Sequence, residues 1–150
     1  MDLANIKIKV INNKVHEWGL PKYATEGSAG LDLCACIDKS ITINPGERVL
    51  VNTGIAIHIN DRNLAGFIFA RSGLASKKGI SLSNGVGVID SDYINEIKVA
   101  LVNLGLESQI INPGDRIAQF VVMPVVNINW EMVEDLESTS RIGGFGSTGC

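Results

Sequence analysis

Short apolar runs separated by polar turns recur along this chain, and in some of them apolar and polar residues alternate with a period of two. Ile6, Ile8 and Val10 alternate with Lys7 and Lys9, and Leu31 to Ile37, Arg48 to Ile59, Leu64 to Ala70, and Glu107 to Val126 share a β-branched and apolar bias. Successive side chains of an extended strand point to opposite faces, so such runs predict strands with one buried side. Turn-forming residues punctuate them: Asn12 and Asn13, the irregular polar stretch Pro21 to Ser28, and the loop Asn60 to Asn63. One phrase occurs twice, as Ile43-Asn44-Pro45-Gly46-Glu47-Arg48 and Ile111-Asn112-Pro113-Gly114-Asp115-Arg116. Each copy has Pro at i+1 and Gly at i+2, the signature of a type II turn joining two strands. A helix of about a turn and a half is expected after Ser72, read as its N-cap, with Gly79 stopping it. Asn129 to Leu136 reads as a final strand or a turn. This rhythm predicts an all-β domain, a barrel or a jelly-roll-like sandwich.

The most informative stretch runs from Asn84 to Asn103. Val86, Val88 and Ile89 form a β-prone run, Asp90-Ser91-Asp92 interrupts it, and Ile97, Val99 and Leu101 resume the alternation, which predicts a hairpin with carboxylates at its bend. A charged turn is ordinary surface in isolation. Two aspartates one residue apart beside Tyr93 repel each other and contribute little to a sheet, so they invite a functional reading.

Composition narrows the picture. A chain of 150 residues fits one domain, able to bury about 68–70% of its unfolded surface without staples. Apolar residues make up 45% and aromatics only 5%, with 16 glycines, a balance that favours many short strands over helices. The formal charge of -3 gives no footprint for a nucleic acid backbone. A small polyanion remains open if Arg71, Arg116 and Arg141 converge. The first thirteen residues alternate rather than forming an apolar leader, and the most apolar run, Phe120 to Val126, is short and contains Pro124. No membrane span is therefore expected, and the cytoplasm is the default location. Cys34 and Cys36, with only Cys150, His16 and His58 besides, make no four-ligand zinc set and are read as free thiols. Residues 1–136 are expected to form the β domain. Residues 137–150, rich in Gly, Ser and Thr with one aromatic, cannot build a core and are expected to be a flexible lid.

Five motifs in order carry a resemblance to a known family. They are A-G-L-D-L at Ala29 to Leu33, A-R-S-G-L-A at Ala70 to Ala75, G-V-I-D-S-D-Y at Gly87 to Tyr93, G-D-R-I-A-Q at Gly114 to Gln119, and G-G-F-G-S-T-G at Gly143 to Gly149. Together they span nearly the whole chain, which resembles the trimeric deoxyuridine triphosphate nucleotidohydrolases, the dUTPases. The resemblance implies a distorted jelly-roll-like β-barrel that converts dUTP to dUMP and pyrophosphate with Mg²⁺, as a homotrimer with shared active sites. Such an activity limits uracil incorporation into DNA and supplies dUMP for thymidylate synthesis.

By that resemblance Arg71, Ser72, Gly73 and Gln119 bind the triphosphate, which suits a guanidinium and hydroxyl at a helix start. Asn84 and the backbone of Val88, Ile89, Asp90 and Lys98 hold the uracil, whose edge a fixed pattern of backbone donors and acceptors can tell from cytosine. Tyr93 lies under the deoxyribose and leaves no room for a 2′-hydroxyl. Asp90 is the implied base that deprotonates the attacking water. A carboxylate is weak in that role, so cationic side chains and Mg²⁺ must stabilise the phosphoryl charge. Asp32, otherwise an alternating strand residue facing solvent, reaches the metal through water. Phe145 stacks over the uracil, and Arg141, Ser147 and Thr148 reach the γ-phosphate. The tail motif lacks the lysine of a P-loop. Two positions depart from the family: Arg141 lies four residues before Phe145 instead of five, with Ser140 at the usual site, and Asn95 replaces a glycine. The rival readings are a dCTP deaminase-related enzyme and a non-catalytic nucleotide-binding regulator on the same scaffold.

Overall fold

Residues 4–140 are described in a computed structural model, and among them ten strands and two short helices form three antiparallel sheets. The order is β1 (Lys7–Val10), α1 (Val15–Trp18), β2 (Leu31–Cys34), β3 (Ile41–Ile43), β4 (Arg48–His58), β5 (Leu64–Ala70), α2 (Ser72–Lys78), β6 (Ile80–Leu82), β7 (Gly87–Ile89), β8 (Glu96–Asn103), β9 (Gln109–Ile111) and β10 (Arg116–Pro124). One sheet runs β1-β4-β8-β6, a second β2-β10-β5-β7, and β3 pairs with β9 as a ribbon. The inward members of the alternating runs meet in a single core, where Leu33, Ile43, Ile80, Ile97, Leu101, Ile111 and Ile117 are almost fully buried. Each such side chain stabilises the fold by roughly 1.5–3 kcal/mol. No described helix is long and apolar enough to cross a membrane.

The repeated phrase folds as the type II turn it predicts. Gly46 and Gly114 sit at φ 78° and 80°, and the N-H of Glu47 and of Asp115 donates to the carbonyl of Asn44 and of Asn112. The carboxylates of Glu47 and Asp115 reach back to accept the N-H of the same asparagines at 2.8 Å. The strands leading into the two turns pair with each other, Ile41 opposite Ile111 and Ile43 opposite Gln109.

Several expectations are corrected. The helix begins one residue earlier than expected: Arg71, extended at φ -82° and ψ 127°, is the N-cap, and Ser72 is the first helical residue. Gly79 at φ 68° ends it, as expected. The single turn α1 had no distinctive signal in the sequence. The second strand stops at Cys34 because the chain then crosses between sheets: Ala35 N-H donates to Asp115 and Cys36 N-H to Asn52. Asn129 to Leu136 forms no strand, and Trp130, Met132 and Leu136 are exposed.

The largest correction concerns the expected hairpin. Its two arms do not pair with each other. β7 pairs with β5, Gly66 opposite Ile89 and Ile68 opposite Gly87, whereas β8 pairs with β4 and β6 in the other sheet. The bend at Asp90 to Asp92 is thus a corner between two layers, held by Tyr93 N-H to the Asp90 carbonyl and Asn60 N-H to the Ser91 carbonyl.

Candidate active site

Two groups of polar side chains lie along β5, one at its C-terminal end and one beside β7, whose last residue Ile89 stands opposite Gly66 toward the other end. At its C-terminal end, Asp32 of β2 and Gln119 of β10 are cross-strand partners, and Gln119 also faces Phe69 of β5. Direct partners in an antiparallel pair project from the same face, so this ladder brings Asp32 and Gln119 beside Arg71, which follows β5. Asp32 is not the solvent-facing residue that alternation suggested: its side chain is 15% exposed and carries two arginines. Arg71 Nε donates to Oδ1 at 2.9 Å and Arg116 Nη1 to Oδ2 at 3.0 Å. Arg71 Nη1 also donates to the Arg116 carbonyl at 3.1 Å. Arg71 is held through two nitrogens, which leaves its Nη2 edge for an anion.

Ser72 and Gly73 follow on the exposed first turn of α2. The first intrahelical bond there is Ala75 N-H to the Arg71 carbonyl, so the N-H groups of Ser72, Gly73 and Leu74 have no intrahelical acceptor. The N-cap residue Arg71 makes no side-chain cap bond to these groups. Arg71, Ser72, Gly73 and Gln119 therefore gather donors suited to phosphate oxygens. Arg116 is the residue that motif-based assignment left out of this corner. Its signal was present, as one of three arginines whose convergence a polyanion would need.

Between the arms of the corner lies a cavity of about 120 Å³ whose walls include Asn84, Val88, Ile89 and Lys98, with Ile68 and Leu82. β7 is the edge of its sheet, and β6 covers β8 only from Leu101 to Asn103, extended by Ser83 N-H to the Ala100 carbonyl. The cavity thus borders strand edges that no ladder covers. Asp90 is exposed just beyond Ile89, and Tyr93 is half buried against the core. Burial raises the pKa of the Cys34 thiol, helped by the Asp32 charge and opposed by Arg116 and Arg71. Burial likewise raises that of Cys36. Both are free.

One chain does not bring Asp90 to Arg71. Ile89 stands opposite Gly66, five positions before Arg71, a span of about 17 Å at strand rise. Because β7 runs antiparallel to β5, the next step carries Asp90 farther from Arg71. Arg141, Phe145, Ser147 and Thr148 lie outside the described residues.

A donor-lined anion corner and a carboxylate-flanked cleft on a jelly-roll-like scaffold are the layout of an all-β nucleotide-processing enzyme. Comparison with known proteins narrows that class: the family model described as dUTPase matches residues 16–149, and the chain belongs to the dUTPase family. It is 49% identical over 146 residues to the deoxyuridine 5'-triphosphate nucleotidohydrolase of Acinetobacter baylyi, covering 96% of this chain and 97% of that protein. The corresponding protein of Hahella chejuensis is 51% identical over 144 residues, 95% of each chain. Among solved structures, a mutant dUTPase of the 80alpha phage aligns with a TM-score of 0.83 at 23% identity, over 95% of this chain and 98% of that one. Another mutant of Staphylococcus bacteriophage 80alpha dUTPase, with dUpNHpp, aligns at 0.81 and 21% identity over 99% and 100%. A mutant dUTPase from phage phi11 of S. aureus, described with a structural Mg(II) ion, aligns at 0.78 and 20% over 89% and 99%. These structures bear on the fold.

Proposed function

We propose that this protein hydrolyses dUTP to dUMP and pyrophosphate at sites shared between the subunits of a homotrimer. Family membership and relatives near half identity over almost the whole chain support the reaction. The observation that carries the shared site is the separation of Asp90 from Arg71 along β5. A base acting at one phosphorus and an arginine holding the neighbouring phosphates must meet on one triphosphate, whose adjacent groups lie far closer than about 17 Å. Asp90 of one subunit therefore works with Arg71 of another. Pairing two different surfaces in this way closes into a ring.

In that site Asn84 and the backbone of Val88, Ile89 and Lys98 hold the uracil edge, and Tyr93 packs under the sugar. Asp90 orients a water and takes its proton. Arg71, Ser72, Gly73 and Gln119 hold the phosphates and stabilise charge on the departing pyrophosphate. The tail closes over the substrate with Phe145, Arg141, Ser147 and Thr148. Among the described residues no cluster of three or more His, Cys, Asp or Glu could cage a metal. Mg²⁺ prefers phosphate oxygens and water, so it fits here as an ion carried by the triphosphate, with Asp32 reaching its water shell. When bound it neutralises phosphate charge.

Pyrophosphate release across dUTP, dCTP, dTTP and UTP tests the reaction. The expected result is strong preference for dUTP, because each mismatched buried polar group costs about 1–3 kcal/mol. Comparable turnover of dCTP refutes the uracil cleft. Co-expression of Arg71→Ala chains with Asp90→Asn chains tests the sharing: mixed assemblies regain turnover that neither parent shows. No recovery in verified mixed assemblies refutes it.

A further inference from the structure

Glu96 opens β8 three residues after Tyr93 and had no role in the motifs. Its backbone carbonyl accepts the Tyr93 hydroxyl at 2.9 Å, while its side-chain Oε1 accepts the N-H of Gly54 at 2.9 Å. Gly54 lies in an irregularity of β4. Asn52 pairs with Lys98 and Ala56 with Glu96, so β4 carries extra residues between these pairs, and the ladder leaves the Gly54 N-H to a side chain.

That irregularity is a fixed point. Gly54 adopts φ 73°, and an added Cβ would come within 2.6 Å of both Cys36 Sγ and Val15 Cγ2, so only glycine fits. Its carbonyl accepts the N-H groups of Ile11 and Asn12 at the end of β1. Beside it the buried Thr53 hydroxyl donates to the Ile97 carbonyl at 2.6 Å. The Glu96 carboxylate ties the first residue of β8 to this point, and the same residue's carbonyl fixes the far end of the Tyr93 ring. The near end is fixed by Tyr93 N-H to the Asp90 carbonyl at 3.1 Å.

We propose that Glu96 is a positioning residue for sugar selection: its side-chain bond to the Gly54 N-H holds the carbonyl that anchors the Tyr93 hydroxyl, and so keeps the ring where it excludes a 2′-hydroxyl. This rests on the assignment of Tyr93 as the face under the deoxyribose. The side chain needs only an acceptor oxygen at Gly54, so a glutamine serves and an alanine does not. Removing the tie lets the carbonyl and ring shift, and the ribonucleotide is then rejected less strongly.

The test is the ratio of kcat/KM for dUTP to that for UTP, measured with thermal unfolding on the full assembly. Glu96→Ala is expected to lower the ratio by about threefold to tenfold, the worth of one hydrogen bond, and Glu96→Gln to restore it. Tyr93→Phe, which keeps the ring and removes the anchored hydroxyl, is expected to lower the ratio similarly. Combining Tyr93→Phe with Glu96→Ala then adds little further loss, because both break one chain of contacts. If Glu96→Ala does not fold, Glu96→Asp draws the carboxylate back by one methylene and makes the same measurement. A lower melting point with an unchanged ratio shows that Glu96 merely pins the fold, and overturns the proposal. Equal losses in the Ala and Gln variants overturn the acceptor account. If Tyr93→Phe and Tyr93→Ala both leave the ratio unchanged, the fault lies in the sugar-face assignment, an outcome distinct from failure at Glu96 alone.

Discussion

Replacing Asp32 by asparagine should loosen Arg71, and the structure sets the size of the effect. Both carboxylate oxygens accept from guanidinium nitrogens, Arg71 Nε at 2.9 Å and Arg116 Nη1 at 3.0 Å. An amide keeps one acceptor and turns its other end into a donor, which can only oppose a guanidinium. The remaining oxygen favours Arg71, whose side chain is 25% exposed against 56% for Arg116. That bond keeps its cationic donor but loses the ionic acceptor, which takes roughly half of a contribution of about 1.5–3 kcal/mol. The bond to the exposed Arg116, screened by solvent, loses about 0–1 kcal/mol. The sum is roughly 2 kcal/mol, which for a domain of this size lowers the melting point by about 4–8 °C. Because Arg71 holds phosphates in both ground and transition states, KM for dUTP should rise more than kcat falls. Differential scanning calorimetry and steady-state kinetics measure both. A variant with unchanged melting point and unchanged KM refutes the claim that Asp32 positions Arg71.

Three further outcomes are expected. Asp90→Asn keeps shape and most hydrogen bonding but removes the proton acceptor, so turnover falls by roughly 10²–10⁴ while nucleotide affinity is preserved; loss of turnover in Asp92→Asn with Asp90→Asn spared reverses the assignment. Deleting Gly143 to Cys150 leaves circular dichroism and melting close to wild type, since so glycine-rich a segment adds little to a core, and sharply reduces turnover; full activity in the truncated protein refutes the lid. Because burial raises the pKa of Cys34 and Cys36, the thiolate forms are scarce near neutral pH and native-state alkylation of both is slow. Labelling followed by mass spectrometry reads each site, and fast modification of Cys36 in the folded protein contradicts its burial.

The strands and turns were legible in the sequence because their causes are local. The apolar run Leu64 to Ala70 after the polar loop Asn60 to Asn63 marked β5 to the residue, and Pro45-Gly46 and Pro113-Gly114 fixed two turns through φ preferences that any context retains. Motif spacing also named most of the residues gathered at the two clusters. What the sequence did not determine was which edges pair. Alternation in β7 and β8 looked like one hairpin, yet a strand joins whichever edge buries its apolar side best, and here the arms went to different sheets and left a cleft between them. Asp32 reads as exposed by alternation because nothing local shows that arginines 39 and 84 positions away will fold onto it. Glu96 is silent in sequence for the same reason: its meaning depends on Gly54, a strand away, in an irregularity that only sheet register creates. Local chemistry chose the residues, and the pairing of the sheets decided their neighbours and set Asp90 and Arg71 at opposite ends of one strand.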